Sequence, residues 1–388
     1  MKFIHTADWH LGKLVQGVYM TEDQQHVLLQ LIEAIEKEKP DAVIIAGDLY
    51  DRAVPPTEAV ELLDRLLERI VMELDTPVLA ISGNHDSPDR LDFGTGLMES
   101  RGLYLAGKLQ AALKPVVLHD QYGEVHFHLV PYADPAQVRT AFGDETIRSH
   151  DDAMRAVIER IQERMDGQAR HVLIGHAFVT PGGAAEPNTS DSERPLAIGG
   201  AEHVNADYFS PFHYTALGHL HQAHFVGSER IRYAGSPLKY SISEEHHKKG
   251  YYVVEMDANG DVQIDKRELK PLRDMRRVQG MMEEIEQHEP SDDYVFVTLL
   301  NDNPVLFPME KVRAIYPNAL HVMRAPVRAE SEAAAAAAGD APSRREADPA
   351  ELFGSFYYEV KGIPLSEDKR KLFEEVYAEL LREEGDAL

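Results

Sequence analysis

MKFIHTADWHLGK, residues 1–13, carries a strand-like run over 2–7 with Phe3, Ile4 and Ala7 apolar, and then sets a carboxylate, Asp8, and an imidazole, His10, two residues apart. The run reads as a buried strand, so the polar pair falls where that strand ends. An Asp-x-His pair by itself is common in soluble chains. Here the arrangement recurs: AVIIAG at 42–47 runs into Asp48-Leu49-Tyr50-Asp51, and PVLAIS at 77–82 runs into Gly83-Asn84-His85-Asp86. Continuous apolar runs of this kind suit strands covered on both faces. Helical patterns lie between them. Thr21 to Lys39 opens with Thr21-x-x-Gln24 at capping-box spacing and is stopped by Pro40. From about Pro56, residues Val60, Leu63, Leu66, Leu67, Ile70 and Val71 keep helical spacing. The alternation predicts an α/β layered fold.

Further strands are expected at 116–118, 125–130, 171–176, 214–219, 231–235 and 251–256. That is more than one doubly wound sheet needs, and it predicts a second packed sheet. Residues 177–200, rich in Gly, Pro, Ser and Asn, read as a long surface loop. Beyond 268 the pattern changes to a charged helix (273–288), a strand (294–300), a helix (308–316) and a strand (319–324), a small α+β domain. An Ala-rich stretch follows within 326–347 and reads as a flexible linker. Over 348–388, Asp348-Pro349-Ala350-Glu351 opens one amphipathic helix and Ser366 a second, with Leu372, Phe373, Val376, Tyr377, Leu380 and Leu381 in one stripe.

Two later strands also end in histidines, Gly175-His176 and Gly218-His219-Leu220-His221. Ligand sites in α/β proteins gather at the carboxyl ends of strands, so five polar clusters can converge on one spot. Carboxylates, imidazoles and one amide without sulfur suit Mn, Fe or Zn and leave Mg open. A pair of metals needs a bridging carboxylate, and Asp48 is the natural choice.

The ordered set DxH, GDxxD, GNHD, GH and GHxH over residues 8–221 resembles the calcineurin-like metallophosphoesterases. HTADWHLG, GDLYD and the long loop before GHLH look most like the bacterial nuclease subunits that work with a coiled-coil SbcC-type ATPase. The resemblance implies a two-sheet β-sandwich flanked by helices over 1–266, a small α+β capping domain over 268–325 and a C-terminal helical segment, 348–388, that binds the ATPase. It implies that Asp8, His10, Asp48 and His221 hold one metal and Asp48, Asn84, His176 and His219 the other. His85 would serve the leaving oxygen, with Asp51 orienting it. The implied activity is exonuclease and endonuclease cleavage at DNA ends and hairpins, with two divalent ions, most simply Mn²⁺, in a homodimer within a heterotetramer. Lys13, Arg52 and Arg90 flank the motifs and are candidate phosphate contacts, with solvated surface charge as the alternative.

Composition narrows the alternatives. The 388 residues are 43% hydrophobic and contain no cysteine, which excludes disulfide scaffolds, thiolate metal sites and cysteine nucleophiles and fits a reducing cytoplasm. No apolar run approaches a membrane span. A net charge of −26 argues against general adhesion to nucleic acid, but a metal cluster acts locally. Residues 102–108 imitate a phosphate-binding loop but continue with Leu109, not Ser or Thr, so ATP dependence is expected from a partner. His224 is the one tempting extra ligand, and Trp9 is expected to pack beneath the metals. A stand-alone phosphatase acting on a small molecule or phosphoprotein would carry the same motifs. The capping region and the amphipathic tail are superfluous for that enzyme.

Overall fold

The computed structural model describes residues 1–183, 188–193, 203–301, 303–325, 349–361 and 363–385. Contacts divide the chain into two compact units, 1–277 with 292–296, and 278–291 with 297–388. The expected boundary at 266–268 falls inside the first unit. Residues 273–294 explain why: Tyr294 Oη donates to the buried Asp23 carboxylate at 2.8 Å, and Arg273 reaches the same carboxylate at 3.0 Å.

The first unit contains two six-stranded sheets. Strands β1 (Lys2–Thr6), β2 (Ala42–Ile45), β3 (Val78–Ile81) and β4 (Leu103–Ala106) run parallel in that order in one sheet. The other contains β5 (Val116–Asp120), β6 (Gly123–Val130), β7 (Arg170–His176), β8 (Tyr214–Gly218), β9 (His224–Val226) and β10 (Ser228–Tyr233), in the order β9-β10-β8-β7-β6-β5. The first sheet is completed by β11 (Gly250–Met256), antiparallel to β1, and β12 (Val262–Glu268) beyond it.

Period-two alternation builds the layers. Phe3, Ile44, Leu79 and Ile81 from one sheet pack with Phe127, Val172, Ile174 and Ala216 from the other, giving the central core. The alternate residues Ile4, Val43, Ile45 and Val78 face outward and are covered by Val27, Leu28, Leu31 and Ile35 of α1 (Thr21–Glu38) and by Leu62, Leu63 and Leu66 of α2 (Thr57–Glu68). On the far side, Leu173 and Leu217 meet Val138 of α3 (Pro135–Phe142) and Val157, Ile158 and Ile161 of α4 (His150–Gln162). Each such side chain contributes about 1.5–3 kcal/mol on leaving water. This is the helix-flanked two-sheet sandwich that the sequence predicts.

Two local expectations fail. The expected helix over 273–288 is instead β13 (Met275–Gly280), followed by the short α5 (Met282–Ile285). Met275 and Val278 are buried three apart and imitate helical spacing, while Arg276 pairs with Asp293 at 2.7 Å and Arg277 with Glu245, so the charges fix an extended chain. The capping box at Thr21 also does not form. Met20 is the N-cap without a side-chain bond, and Gln24 is fully buried, donating to the His10 carbonyl at 2.7 Å and accepting from the Gly12 N–H at 3.1 Å.

β13 belongs to a three-stranded sheet with β14 (Tyr294–Leu299) and β15 (His321–Arg324). The second unit contains α5, α6 (Pro308–Arg313) and two C-terminal helices, α7 (Pro349–Lys361) and α8 (Glu367–Gly385). Phe353 and Phe373 stack with centroids 4.2 Å apart, joining α7 to α8, whereas Leu372 and Val376 remain exposed. The linker 326–347 and the expected cap Asp348 lie outside the described residues.

Candidate metal centre

The turns after β1, β2 and β3 lie side by side because those strands are parallel and in register. The two sheets are joined at this end by His176, whose Nδ1 lies 3.0 Å from the Ala46 carbonyl, and by the His219 N–H, which donates to Asp8 Oδ1 at 2.9 Å. Asp8 (φ 54°), His10 (φ 46°), Asp48 (φ 50°) and His219 (φ 107°) all occupy the left-handed region. Holding a non-glycine residue there costs about 1–3 kcal/mol, so the surrounding contacts over-determine these turns. Close approach requires two glycines. A Cβ on Gly83 would lie 2.1 Å from Asp48 Oδ1, and one on Gly218 would lie 1.9 Å from the Ala46 carbonyl oxygen.

These turns bring together three overlapping groups with the spacing a cation needs: Asp8, His10 and His221; Asp8, Asp48 and His176; and His10, Asp51 and His85. The Nε2 atoms of His10 and His221 face each other at 3.1 Å, and His176 Nε2 lies 3.4 Å from Asp48 Oδ2 and 3.0 Å from Asn84 Oδ1. The His219 ring centroid is 5.4 Å from that of His176. Asp8 Oδ2 and His10 Nδ1 are buried and make no hydrogen bond. Unsatisfied buried polar atoms cost about 1–3 kcal/mol each, and two imidazole nitrogens facing each other fit shared ligation of a cation. Burial pushes the Asp8 carboxyl above the usual carboxylate range, reinforced by the nearby Asp48 charge. Burial acts on Asp48 in the same sense, but His176 and His10 overcome it and hold Asp48 well below that range. Burial holds His10 and His219 neutral, the protonation state that ligation requires. The residues fit a divalent-cation site.

His85 stands beside this cluster, half-buried, with its main-chain N–H donating to Asp48 Oδ1 at 2.9 Å and its ring centroid 4.7 Å from that of His10. Its Nδ1 lies 2.8 Å from the Asp51 main-chain carbonyl. A carbonyl only accepts, so Nδ1 carries the hydrogen and Nε2 is the end free to exchange a proton. The Asp51 carboxylate pairs with Lys13 at 2.8 Å and lies 3.6 Å from Arg52. Arg90 is exposed on the turn of helix Pro88–Leu91. His224 stacks on Tyr233 and bonds the Gln222 carbonyl through Nδ1 at 2.8 Å. Trp9 packs in the outer core of the first sheet and donates to Thr6 Oγ1 at 3.0 Å.

Three residues that hold the site are not evident from the motifs alone. Gln24 braces the turn that carries His10. Asp86 accepts from the N–H groups of Gly83, Leu49 and Tyr50 at 2.9, 3.1 and 2.9 Å, tying the second turn to the third. Glu244 lies behind His221. Asp86 belongs to the quoted GNHD run, but two of its three partners, Leu49 and Tyr50, lie in another turn. Glu244 sits in the charged stretch SEEHHKKG, which reads as solvated surface.

With this geometry go the comparisons with known proteins. Residues 1–222 match the calcineurin-like phosphoesterase family, so the chain is a metallophosphoesterase, a hydrolase of the class its strand-end cluster suggests. Residues 271–361 match a second family, described as the type 5 capsule protein repressor C-terminal domain. The chain is 38% identical over 324 residues to the SbcD subunit of the nuclease SbcCD of Staphylococcus epidermidis, covering 82% of this chain and 84% of that relative. It belongs to the SbcD family. Among solved structures, TT1561 of Thermus thermophilus is similar with a TM-score of 0.38 at 10% identity, covering 68% of this chain and 98% of that one. A dimetal phosphatase from Danio rerio gives 0.37 at 12% identity, covering 69% and 96%. Among the described residues no helix is long and apolar enough to cross a membrane.

Proposed function

We propose that this chain is the nuclease subunit of an SbcCD-type complex, hydrolysing phosphodiester bonds at DNA ends and hairpins with two divalent cations, Mn²⁺ by preference, in DNA repair and recombination. The observation that carries the reading is the convergence of Asp8, His10, Asp48, His176 and His221 on one spot, with Asp8 Oδ2 and His10 Nδ1 buried and unbonded. Asp8, His10, Asp48 and His221 hold one cation, and Asp48, Asn84, His176 and His219 hold the other. Cations held there would make hydroxide available near neutral pH and would neutralise phosphate oxygens.

The remaining chemistry belongs to the side chains. His176 commits its Nδ1–H to the Ala46 carbonyl and turns Nε2 toward Asp48 and Asn84, whose oxygens only accept, so Nε2 carries a hydrogen there that a bound cation would displace. His85, held through Nδ1–H, delivers a proton from Nε2 to the departing oxygen. Lys13, fixed by Asp51, and the exposed Arg52 and Arg90 lie on elements flanking the site and serve phosphate oxygens. An SbcC-type ATPase docks on 348–388, a reading supported by the exposed Leu372 and Val376 on α8, and the complex is a heterotetramer built on a homodimer of this chain.

The test is cleavage of duplex ends and hairpins with Mn²⁺, with and without the ATPase and ATP. The expected result is Mn²⁺-dependent cleavage extended by the partner. Hydrolysis confined to small phosphate esters would favour a stand-alone phosphatase.

A further inference from the structure

His221 offers four hydrogen-bonding or ligating groups, and three of them are taken on the side away from the cluster. Its main-chain N–H donates to Glu193 Oε1 at 2.7 Å, and its carbonyl accepts from the Lys249 ammonium at 2.9 Å. Its Nδ1 lies 2.7 Å from Ser192 Oγ and 3.1 Å from Glu244 Oε1. Glu244 is fully buried and paired with Lys249, which also donates to Ser236 Oγ at 2.8 Å. A paired carboxylate only accepts, so the hydrogen sits on Nδ1 of His221, and the Ser192 hydroxyl donates onward to Glu244. The one group left is the Nε2 lone pair, which faces His10 Nε2 at 3.1 Å. The chain thus fixes both the tautomer and the ring plane of His221, using residues 28 positions before it and 23 after it.

We infer that Glu244, locked by Lys249 and joined by Ser192 and Glu193 of the loop before the GHLH motif, is the positioning residue that presents His221 to a cation. The inference rests on the proposed two-cation reading and adds to it a supporting shell that none of the motifs contains. Carboxylate partners of this kind orient a ligating imidazole and raise its basicity, and losing one typically weakens metal affinity by about 10–100-fold. Residues 188–193 thereby become part of the site, although the composition of their loop suggests only a surface connection.

The test is calorimetric titration of the full chain with Mn²⁺, comparing wild type with Glu244→Gln and with the milder Ser192→Ala and Glu193→Gln. In Glu244→Gln one of two Mn²⁺ equivalents should bind about 10–100-fold more weakly. The other should be unchanged, and phosphodiesterase turnover should recover at saturating Mn²⁺. A purely structural role would lower thermal stability without that metal-dependent recovery. If Glu244→Gln does not fold, the two loop variants carry the test, with a several-fold loss expected on the same equivalent. Folded variants that bind both equivalents with wild-type affinity would overturn the positioning role alone. A wild-type chain that takes up no Mn²⁺ would overturn the two-cation reading as well.

Discussion

The Nδ1 atom of His85 lies 2.8 Å from the main-chain carbonyl of Asp51, while the Asp51 carboxylate is occupied by Lys13 at the same distance. The ring is therefore oriented by the backbone of the turn after β2, a contact that any residue at position 51 could make. The carboxylate instead fixes a cation at the rim of the site.

Asp51→Ala should thus keep turnover within about tenfold of wild type, whereas His85→Gln should lose about 10²-fold or more, the scale of a missing general acid. Steady-state hydrolysis of a nitrophenyl phosphodiester with Mn²⁺ separates the two. Equal collapse of both variants would assign the orienting role to the carboxylate.

Asp48 faces His176 at 3.4 Å and His10 at 3.6 Å, so it touches both halves of the cluster. Asp48→Asn should depress binding of both Mn²⁺ equivalents, while His85→Gln should retain near wild-type stoichiometry. Metal loss in His85→Gln would make that histidine a ligand.

Gln24 offers a stability test remote from the chemistry. Gln24→Ala strands the buried Gly12 N–H and leaves the His10 carbonyl without this donor. The expected loss is about 1–3 kcal/mol in urea unfolding, with weaker Mn²⁺ binding because the His10 turn loosens. A fully stable variant with wild-type metal affinity would show that water or a neighbouring side chain replaces the amide.

These cases show which features can be read from the sequence. The strand-end clusters are legible because each is local: an apolar run, a turn and a ligand lie within ten residues. The brackets that hold them are not. Gln24 stands at capping-box spacing but is drawn into the core, and Glu244 reaches His221 across 23 positions. Strand β13 is hidden by Met275 and Val278, whose spacing suits a helix, and by arginines whose partners are distant in sequence.

Two histidines outside the site predict acid sensitivity. Burial pushes His5 and His128 down from 6.5 to about 3. His5 donates through Nε2 to the Leu217 carbonyl at 3.2 Å and accepts from Tyr214 Oη at 2.9 Å, a neutral arrangement. As pH falls through about 6.5 the unfolded chain takes up protons that the folded chain refuses, so stability falls with acidification by about 1.4 kcal/mol per pH unit per ring. His5→Gln should reduce that dependence by one proton between pH 6 and pH 5, read from urea midpoints. An unchanged slope would mean that His5 takes up its proton in the folded state.

Removing 348–388 should leave folding and basal Mn²⁺-dependent hydrolysis intact and abolish binding of the ATPase. Co-purification at unchanged stoichiometry would contradict this. A large drop in melting temperature would show that α7 and α8 cover the chain's own core.

The most direct measurement is anomalous scattering from crystals of the full chain soaked in Mn²⁺. Two peaks are expected, one bounded by Asp8, His10 and His221 and one by Asn84, His176 and His219, with Asp48 reaching both. A single peak, or manganese only at sites away from these strand ends, would contradict the two-cation centre.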